Sequence, residues 1–168
     1  MSTPLPPQKS AVDTRHFRSA LSQFATGVTV ITTRLENGKF LGITASSFNS
    51  VSLNPPLVLW SLSNGASSLP VFTVNSHYVI NVLAANQAHL AEQFSKPSKD
   101  RFIGVDYTLS ATGLPILTGG AAWFECHNRS RYPEGDHVIF VGEVEQCEFT
   151  PSAPLIFHGG QLLSSGSE

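Results

Sequence analysis

Short runs of β-branched and aliphatic residues recur along this chain, separated mostly by turn residues, and this spacing limits the fold more than any other feature. Residues 28–33, Val-Thr-Val-Ile-Thr-Thr, are β-branched throughout and suit a pleated strand. Glu36-Asn37-Gly38-Lys39 supplies an Asn-Gly turn, and residues 40–45 form the returning arm of a hairpin. Further strands are predicted at 57–62, a buried apolar run, and at 78–83, 121–126, 138–149 and 155–157. Pro55 and Pro56 donate no ladder hydrogen bond and are expected to break pairing after Asn54. Helical periodicity marks residues 14–25, where Phe17, Ala20, Leu21 and Phe24 share a face, with Thr14 as cap and Gly27 as stop. It marks residues 86–94 as well, with Asn86 as cap and Leu90, Ala91 and Phe94 on one face. A short helix is predicted after Ser67. Residues 95–120 read as mostly irregular, 132–136 as turn-rich and 159–168 as a polar tail.

About six or seven strands with few helices, and no repeated strand–helix–strand alternation, indicate a mainly β fold. An antiparallel β-barrel with peripheral helices is expected. The 168 residues suit one domain over 14–160, with a flexible N-terminal tail at 1–13 and a C-terminal tail at 161–168.

The net charge of −2 argues against nucleic acid, whose binding needs a surplus of cations. Only 13% of residues are charged, against about 25% in an average soluble protein. Such a surface suits partial cover by a second copy of the chain, and a homodimer is expected. No apolar run reaches membrane-spanning length, and Cys126 and Cys147 form no CxxC pair or disulfide framework. A cytoplasmic protein with no membrane partner is expected. The spacing of Cys126, His127, His137 and Cys147 matches no zinc pattern, so no metal is expected.

GxGxxG, P-loop, HExxH and GxSxG motifs are all missing. Thr44, Ala45, Ser46, Ser47, Phe48, Asn49, Ser50, Val51 and Ser52 form a small, hydroxyl-rich stretch after a strand. It is either an ordinary serine-rich loop or an array of hydroxyl and backbone donors for an anion and a polar ring edge. Ser61, Leu62 and Ser63, with Ser67 and Ser68, are a second such cluster at the next strand's end, where turns and caps are the plain alternative. Gly135-Asp136-His137 opens a strand; His137 is a proton donor, a ligand to an anionic cofactor, or a structural residue satisfied by Asp136. His158 precedes Gly159 and Gly160, which permit close approach of a bound group. Lys96, Lys99 and Arg101 are a solvated loop or a contact for a cofactor phosphate.

Taken in order, these segments resemble those of the short-chain flavin reductases, which have the FMN-binding split-barrel fold. Such proteins serve as reductase components of two-component flavin-dependent monooxygenases, such as the 4-hydroxyphenylacetate 3-monooxygenase system. The resemblance runs through Phe24-Ala25-Thr26-Gly27-Val28-Thr29-Val30, Gly42-Ile43-Thr44-Ala45-Ser46-Ser47-Phe48 and Ser50-Val51-Ser52-Leu53-Asn54-Pro55-Pro56-Leu57-Val58. It continues through Leu90-Ala91-Glu92-Gln93-Phe94, Lys99-Asp100-Arg101-Phe102, Phe124-Glu125-Cys126, Gly135-Asp136-His137, Gly142-Glu143-Val144 and Pro154-Leu155-Ile156-Phe157-His158. It implies a split barrel that binds FMN or FAD, with NADH or NADPH as hydride donor. Residues 44–47 and 50–52 would line the flavin, Ser61, Leu62, Ser63, Ser67 and Ser68 would continue the site, and Gln93 with Phe94 would close it. Asp136 and His137 would meet the nicotinamide, with His137 as the catalytic residue, and Phe157, His158, Gly159 and Gly160 would lie near the same face. A homodimer is implied, with a transient oxygenase component or free diffusion of reduced flavin. The alternatives are a flavin- or haem-binding module without turnover, or a reductase of another acceptor such as a corrinoid or ferric chelate. Gln161-Leu162-Leu163 stands where the family often has an aromatic and a basic residue.

Overall fold

The computed structural model describes residues 12–164. Its helices are α1 (Thr14–Leu21), α2 (Leu69–Val74) and α3 (Ala88–Ser95), the last entered through a 3-10 turn at Ala85–Gln87. The strands are β1 (Thr26–Gly27), β2 (Thr29–Arg34), β3 (Phe40–Ala45), β4 (Asn49–Leu53), β5 (Pro56–Ser63) and β6 (His77–Val82). They continue with β7 (Tyr107–Leu109), β8 (Pro115–Leu117), β9 (Ala122–Glu134), β10 (His137–Phe149), β11 (Leu155–His158) and β12 (Gln161–Ser164). Every strand pairing is antiparallel.

Seven strands form the main sheet in the order β3-β2-β6-β9-β10-β5-β4. Its two edge strands are consecutive in the chain, joined only by Ser46, Ser47 and Phe48. Laid flat, six strand spacings would hold those edges about 29 Å apart. Three linking residues reach about 14 Å at most. The sheet therefore curls until its edges meet, which gives the split barrel. The smaller sheet β1-β11-β12 lies beside it, and β7 pairs with β8.

The barrel interior holds Ile31, Ile43, Val58, Trp60, Phe72, Tyr78, Ile80, Cys126 and Phe140. The Trp60 and Phe140 rings stack at 4.5 Å between centroids, and Phe72 and Tyr78 meet Trp60 edge-on. A second core, with Val28, Val30, Leu83, Leu90, Phe94 and Leu155, lies outside the barrel wall under α3. Val30 and Ile31 project to opposite faces of β2 and both are fully buried, so this strand needs apolar residues on both sides. That requirement explains its unbroken β-branched run.

The local departures from expectation have physical causes. Asp13, not Thr14, caps α1, its carboxylate accepting from the His16 N–H at 2.9 Å, and the helix stops at Leu21 rather than reaching residue 25. Asn86 lies inside the 3-10 turn, and Gln87 does the capping by accepting the Ala84 N–H at 2.9 Å. Pro56 does not break pairing; it stands opposite Leu53 at the mouth of a tight hairpin. Residues 57–62 are buried only at Val58 and Trp60, because one face of β5 is turned out of the barrel. Tyr132, Pro133 and Glu134 extend β9 instead of forming a loop, leaving a turn of only Gly135 and Asp136. Within 95–120, β7 and β8 make a hairpin too short to show a period. Gln161–Ser164 is a strand rather than tail, paired to β11 across a turn in which Gly159 and Gly160 both take positive φ.

Helix α3 can approach β3 closely because Gly42 lacks a side chain. A Cβ there would stand 2.6 Å from the Phe94 ring, which is itself fully buried. Gly42→Ala is expected to destabilise the fold by about 1–3 kcal/mol, read as the midpoint of urea unfolding. Gly27→Ala, with no neighbour within 4 Å of the new methyl, should change it by less than about 0.5 kcal/mol.

Candidate functional site

The barrel seam and the terminal hairpin meet at one cleft of about 320 Å³. Its walls are Thr44 and Ser46 from the end of β3, Phe157, Gly160 and Leu162 from the hairpin, Ala91, Glu92 and Ser95 from α3, and Val28. Thr44, Ser46, Phe157 and Gly160 belong to segments expected to bind a cofactor, and the fold brings them together from opposite ends of the chain. Val28, Phe157 and Leu162 offer an apolar wall. Ser46, Ser95 and the positive-φ backbone at Gly160 offer polar contacts. Leu162 escaped sequence reasoning because β12 has no turn signal beyond the paired glycines. Ala91 and Ser95 carried a weak signal, two small residues at i, i+4 on α3.

The two hydroxyl clusters are coupled directly. Ser47 Oγ accepts the Ser61 N–H at 2.9 Å and donates to the Ser61 carbonyl at 3.2 Å. One side chain thus substitutes for a ladder pair and latches β3 to β5 where the sheet closes. Ser50, Val51 and Ser52 are part of strand β4 rather than a loop, and a bulge falls between Ser50 and Ser52. Val51 is exposed. Ala45 ends β3 and accepts the Thr29 hydroxyl at 2.7 Å through its carbonyl.

Beyond Ser61 the same rim continues to the Gly135-Asp136-His137 turn. Leu62 pairs with Val138 and Ser63 with His137. Asn64 anchors the turn, its N–H donating to the Asp136 carbonyl at 2.9 Å. His137 Nδ1 donates to Asp136 Oδ1 at 2.6 Å, because a carboxylate can only accept. This hydrogen bond, with the imidazole charge, holds the exposed Asp136 carboxyl below the usual carboxylate range. The tautomer so selected leaves His137 Nε2 on the side away from Asp136.

Other expected site residues are placed differently. Phe94 is fully buried and packs edge-on to Phe102 at 5.0 Å, so it supports α3 from beneath instead of facing a ligand. The Gln93 side-chain amide donates to the Arg101 and Ile103 carbonyls at 2.7 and 3.0 Å and holds the following loop. Thr44 donates its hydroxyl to the Ala91 carbonyl at 2.6 Å, bracing α3. Ser68 is buried at the start of α2, and Ser67 lies exposed in the preceding turn. His158 is half-buried and pairs with Gln161. Arg101 Nη1 donates to the Gly42 and Phe94 carbonyls at 3.0 and 3.1 Å, so its guanidinium clamps the loop to the barrel. Cys126 lies in the barrel, Cys147 on the surface and His137 at the rim, so the four residues weighed for zinc do not converge.

Comparison with known proteins places this geometry among flavin enzymes. A family model described as a flavin reductase like domain matches residues 21–165. The FMN reductase (NADH) SmoA of Agrobacterium fabrum is 41% identical over 148 residues, covering 88% of this chain and 84% of the relative. The reductase component of the flavin-dependent trigonelline monooxygenase of Acinetobacter baylyi is 40% identical over 150 residues. That match covers 89% of this chain, which spans about half (48%) of that longer relative. The NADH:FAD oxidoreductase of Streptomyces globisporus C-1027, solved with NAD and FAD fragments, superposes with a TM-score of 0.85 at 36% identity, covering 92% of this chain and 95% of the other.

The His137 contact gives a direct test. In His137→Ala the Asp136 carboxyl loses the donor that favours its ionised form, so its titration midpoint should rise toward the ordinary carboxylate value of about 3.9. Carbonyl-detected NMR titration of wild type and variant checks the direction.

Proposed function

The chain belongs to the flavin reductase-like domain family and is a flavin reductase; we propose that it oxidises NADH or NADPH and passes reduced FMN or FAD to a monooxygenase component. The observation that supports this most is the convergence of the seam and the terminal hairpin on one cleft. A flavin has flat apolar ring faces and a polar edge. Val28, Phe157 and Leu162 suit the face, and Ser46, Ser95 and the backbone around Gly160 suit the edge. At about 320 Å³ the cleft is at the small end of ligand sites, which favours a loosely held flavin with part of it on the rim.

When both cofactors are bound, they supply the chemistry themselves, a hydride moving from nicotinamide C4 to flavin N5. The chain's part is alignment. Apolar walls keep water from the ring face, and the Ser47–Ser61 latch fixes the rim on which Ser46 stands. Asp136 sets the tautomer and orientation of His137, whose Nε2 is then placed to orient the nicotinamide or to hold a proton beside it. No carboxylate pair is needed, in keeping with a cleft whose sole lining carboxylate, Glu92, sits 3.9 Å from Lys96 at the surface.

The working unit in this reading is a homodimer. Phe17, Leu21 and Phe24 around the exposed face of α1, and Val51 and Leu53 on edge strand β4, are apolar and uncovered in the single chain. Leu53 is 95% exposed, a costly position for leucine unless a second copy covers it.

Nicotinamide oxidation should require added FMN or FAD, followed as loss of nicotinamide absorbance. His137→Ala should slow reduction in anaerobic stopped flow by roughly tenfold to a hundredfold while leaving flavin affinity little changed. Ser46→Trp, which fills the cleft, should abolish the flavin fluorescence titration. Flavin binding without turnover would leave a binding module, and turnover only with a corrinoid or ferric chelate would change the acceptor. Light scattering after gel filtration should give twice the chain mass, with Leu53→Asp shifting it toward one chain.

A further inference from the structure

Away from the cleft, three side chains on neighbouring strands point their donor atoms at one another. His77 opens β6, His127 is its direct cross-strand partner on β9, and Glu145 lies on β10. One ligand atom from each falls within 4.8 Å of the other two. His77 Nε2 is 3.0 Å from Glu145 Oε2, and the two imidazole rings are 5.4 Å apart between centroids. Ser76 Oγ bonds the other ring nitrogen of His77 at 2.9 Å.

Strand geometry accounts for the grouping. Cross-strand partners share a face, and the next residues, Tyr78 and Cys126, point into the barrel. The two histidines are therefore outside the wall together. Glu145 joins them through a bulge. Pairing steps from Val144 opposite Cys126 to Gln146 opposite Glu125, which leaves Glu145 without a partner. In an unbroken register Glu145 would stand opposite Glu125, a fully buried carboxylate. The extra residue carries it away from that like charge and aims it at His77.

Two imidazoles and a carboxylate are a donor set that zinc takes, with the remaining position open to water. Metal–ligand bonds of about 2.0–2.1 Å in a tetrahedron put donors about 3.3 Å apart. The His77–Glu145 pair is already near that spacing. His127 is exposed and, with its ligand atom within 4.8 Å of the other two, has at most about 1.5 Å to swing to reach the tetrahedral spacing. Ser76 on Nδ1 leaves Nε2 of His77 for the ion, the outer contact that metal-bound histidines commonly keep. Linear spacing hid the group, because His77 is far in sequence from the other two ligands.

We propose that His77, His127 and Glu145 form a Zn²⁺ site that ties β6, β9 and β10 together on the outside of the barrel. The proposal does not depend on the flavin reading. Untagged protein, stripped with chelator and titrated calorimetrically with ZnCl₂, should take up one equivalent. His127→Ala and Glu145→Gln should each weaken that affinity by more than about tenfold, and Ser76→Ala by about tenfold. Zn²⁺ should raise the melting temperature of wild type and not of His127→Ala. Co²⁺ should give a visible d–d band in wild type that the same variant lacks. Circular dichroism checks that each variant is folded, and the exposure of both His127 and Glu145 makes folding the expected result. His137→Ala, which removes the other histidine–carboxylate pair among the described residues, should bind as wild type does. The absence of stoichiometric uptake, undiminished affinity in both His127→Ala and Glu145→Gln, or loss of binding in His137→Ala instead would each overturn the site.

Discussion

The short tether between β3 and β4 governs the rest of this molecule. These strands lie at opposite edges of a seven-stranded sheet, yet only Ser46, Ser47 and Phe48 join them. Closure follows from chain length before any packing energy is counted. Packing then makes the closed form stable, through the stacked Trp60 and Phe140 rings and the aromatic edges around them. The residues at the tether meet three demands together. They must be small enough to turn, polar enough to replace ladder bonds that the split cannot supply, and open on one side. Ser47 meets the second demand by holding both backbone groups of Ser61. Ser46 meets the third by facing the cleft. The place where the barrel is mechanically joined is thus also where a ligand can approach a row of donors.

Two cores share one wall. β2 carries the barrel interior on one side and the layer under α3 on the other. A change at α3 is felt through Gly42 and Phe94 at β3, the strand that leads into the tether. Arg101 reinforces this junction by donating to the carbonyls of Gly42 and Phe94. The helix therefore acts on the cleft in two ways, by lining it with Ala91, Glu92 and Ser95 and by bracing the strand opposite.

Much of the architecture was legible in the residues alone. The β-branched run of β2, the Asn-Gly turn before β3 and the long strand that follows Gly135 carry strong local signals, whereas only the first part of β9 was legible. The ordered motifs added the family and named several of the segments that meet at the cleft. What stayed hidden depends on tertiary partners. β12 pairs only because Gly159 and Gly160 reverse the chain onto β11, and its own sequence, Gln-Leu-Leu-Ser, has no strand bias strong enough to show. The β7–β8 hairpin is stabilised from outside, by the buried Thr32 hydroxyl donating to the Pro115 carbonyl and by Asn81 accepting the Leu117 N–H. Phe94 and Gln93 lie beside cleft-lining residues in sequence, but helix rotation turns them to core and loop contacts. The grouping of His77 with His127 and Glu145 needs strand register and a bulge, neither of which spacing along the chain reveals.

The β1–β11 pairing sets Thr26 against Phe157 and Gly27 against Ile156. An early segment is thus paired with one that follows the last strand of the barrel. A chain cut after β10 would keep every strand of the main sheet and lack the wall that Phe157, Gly160 and Leu162 supply. The sheet of such a chain could still close, with one side of the cleft left open.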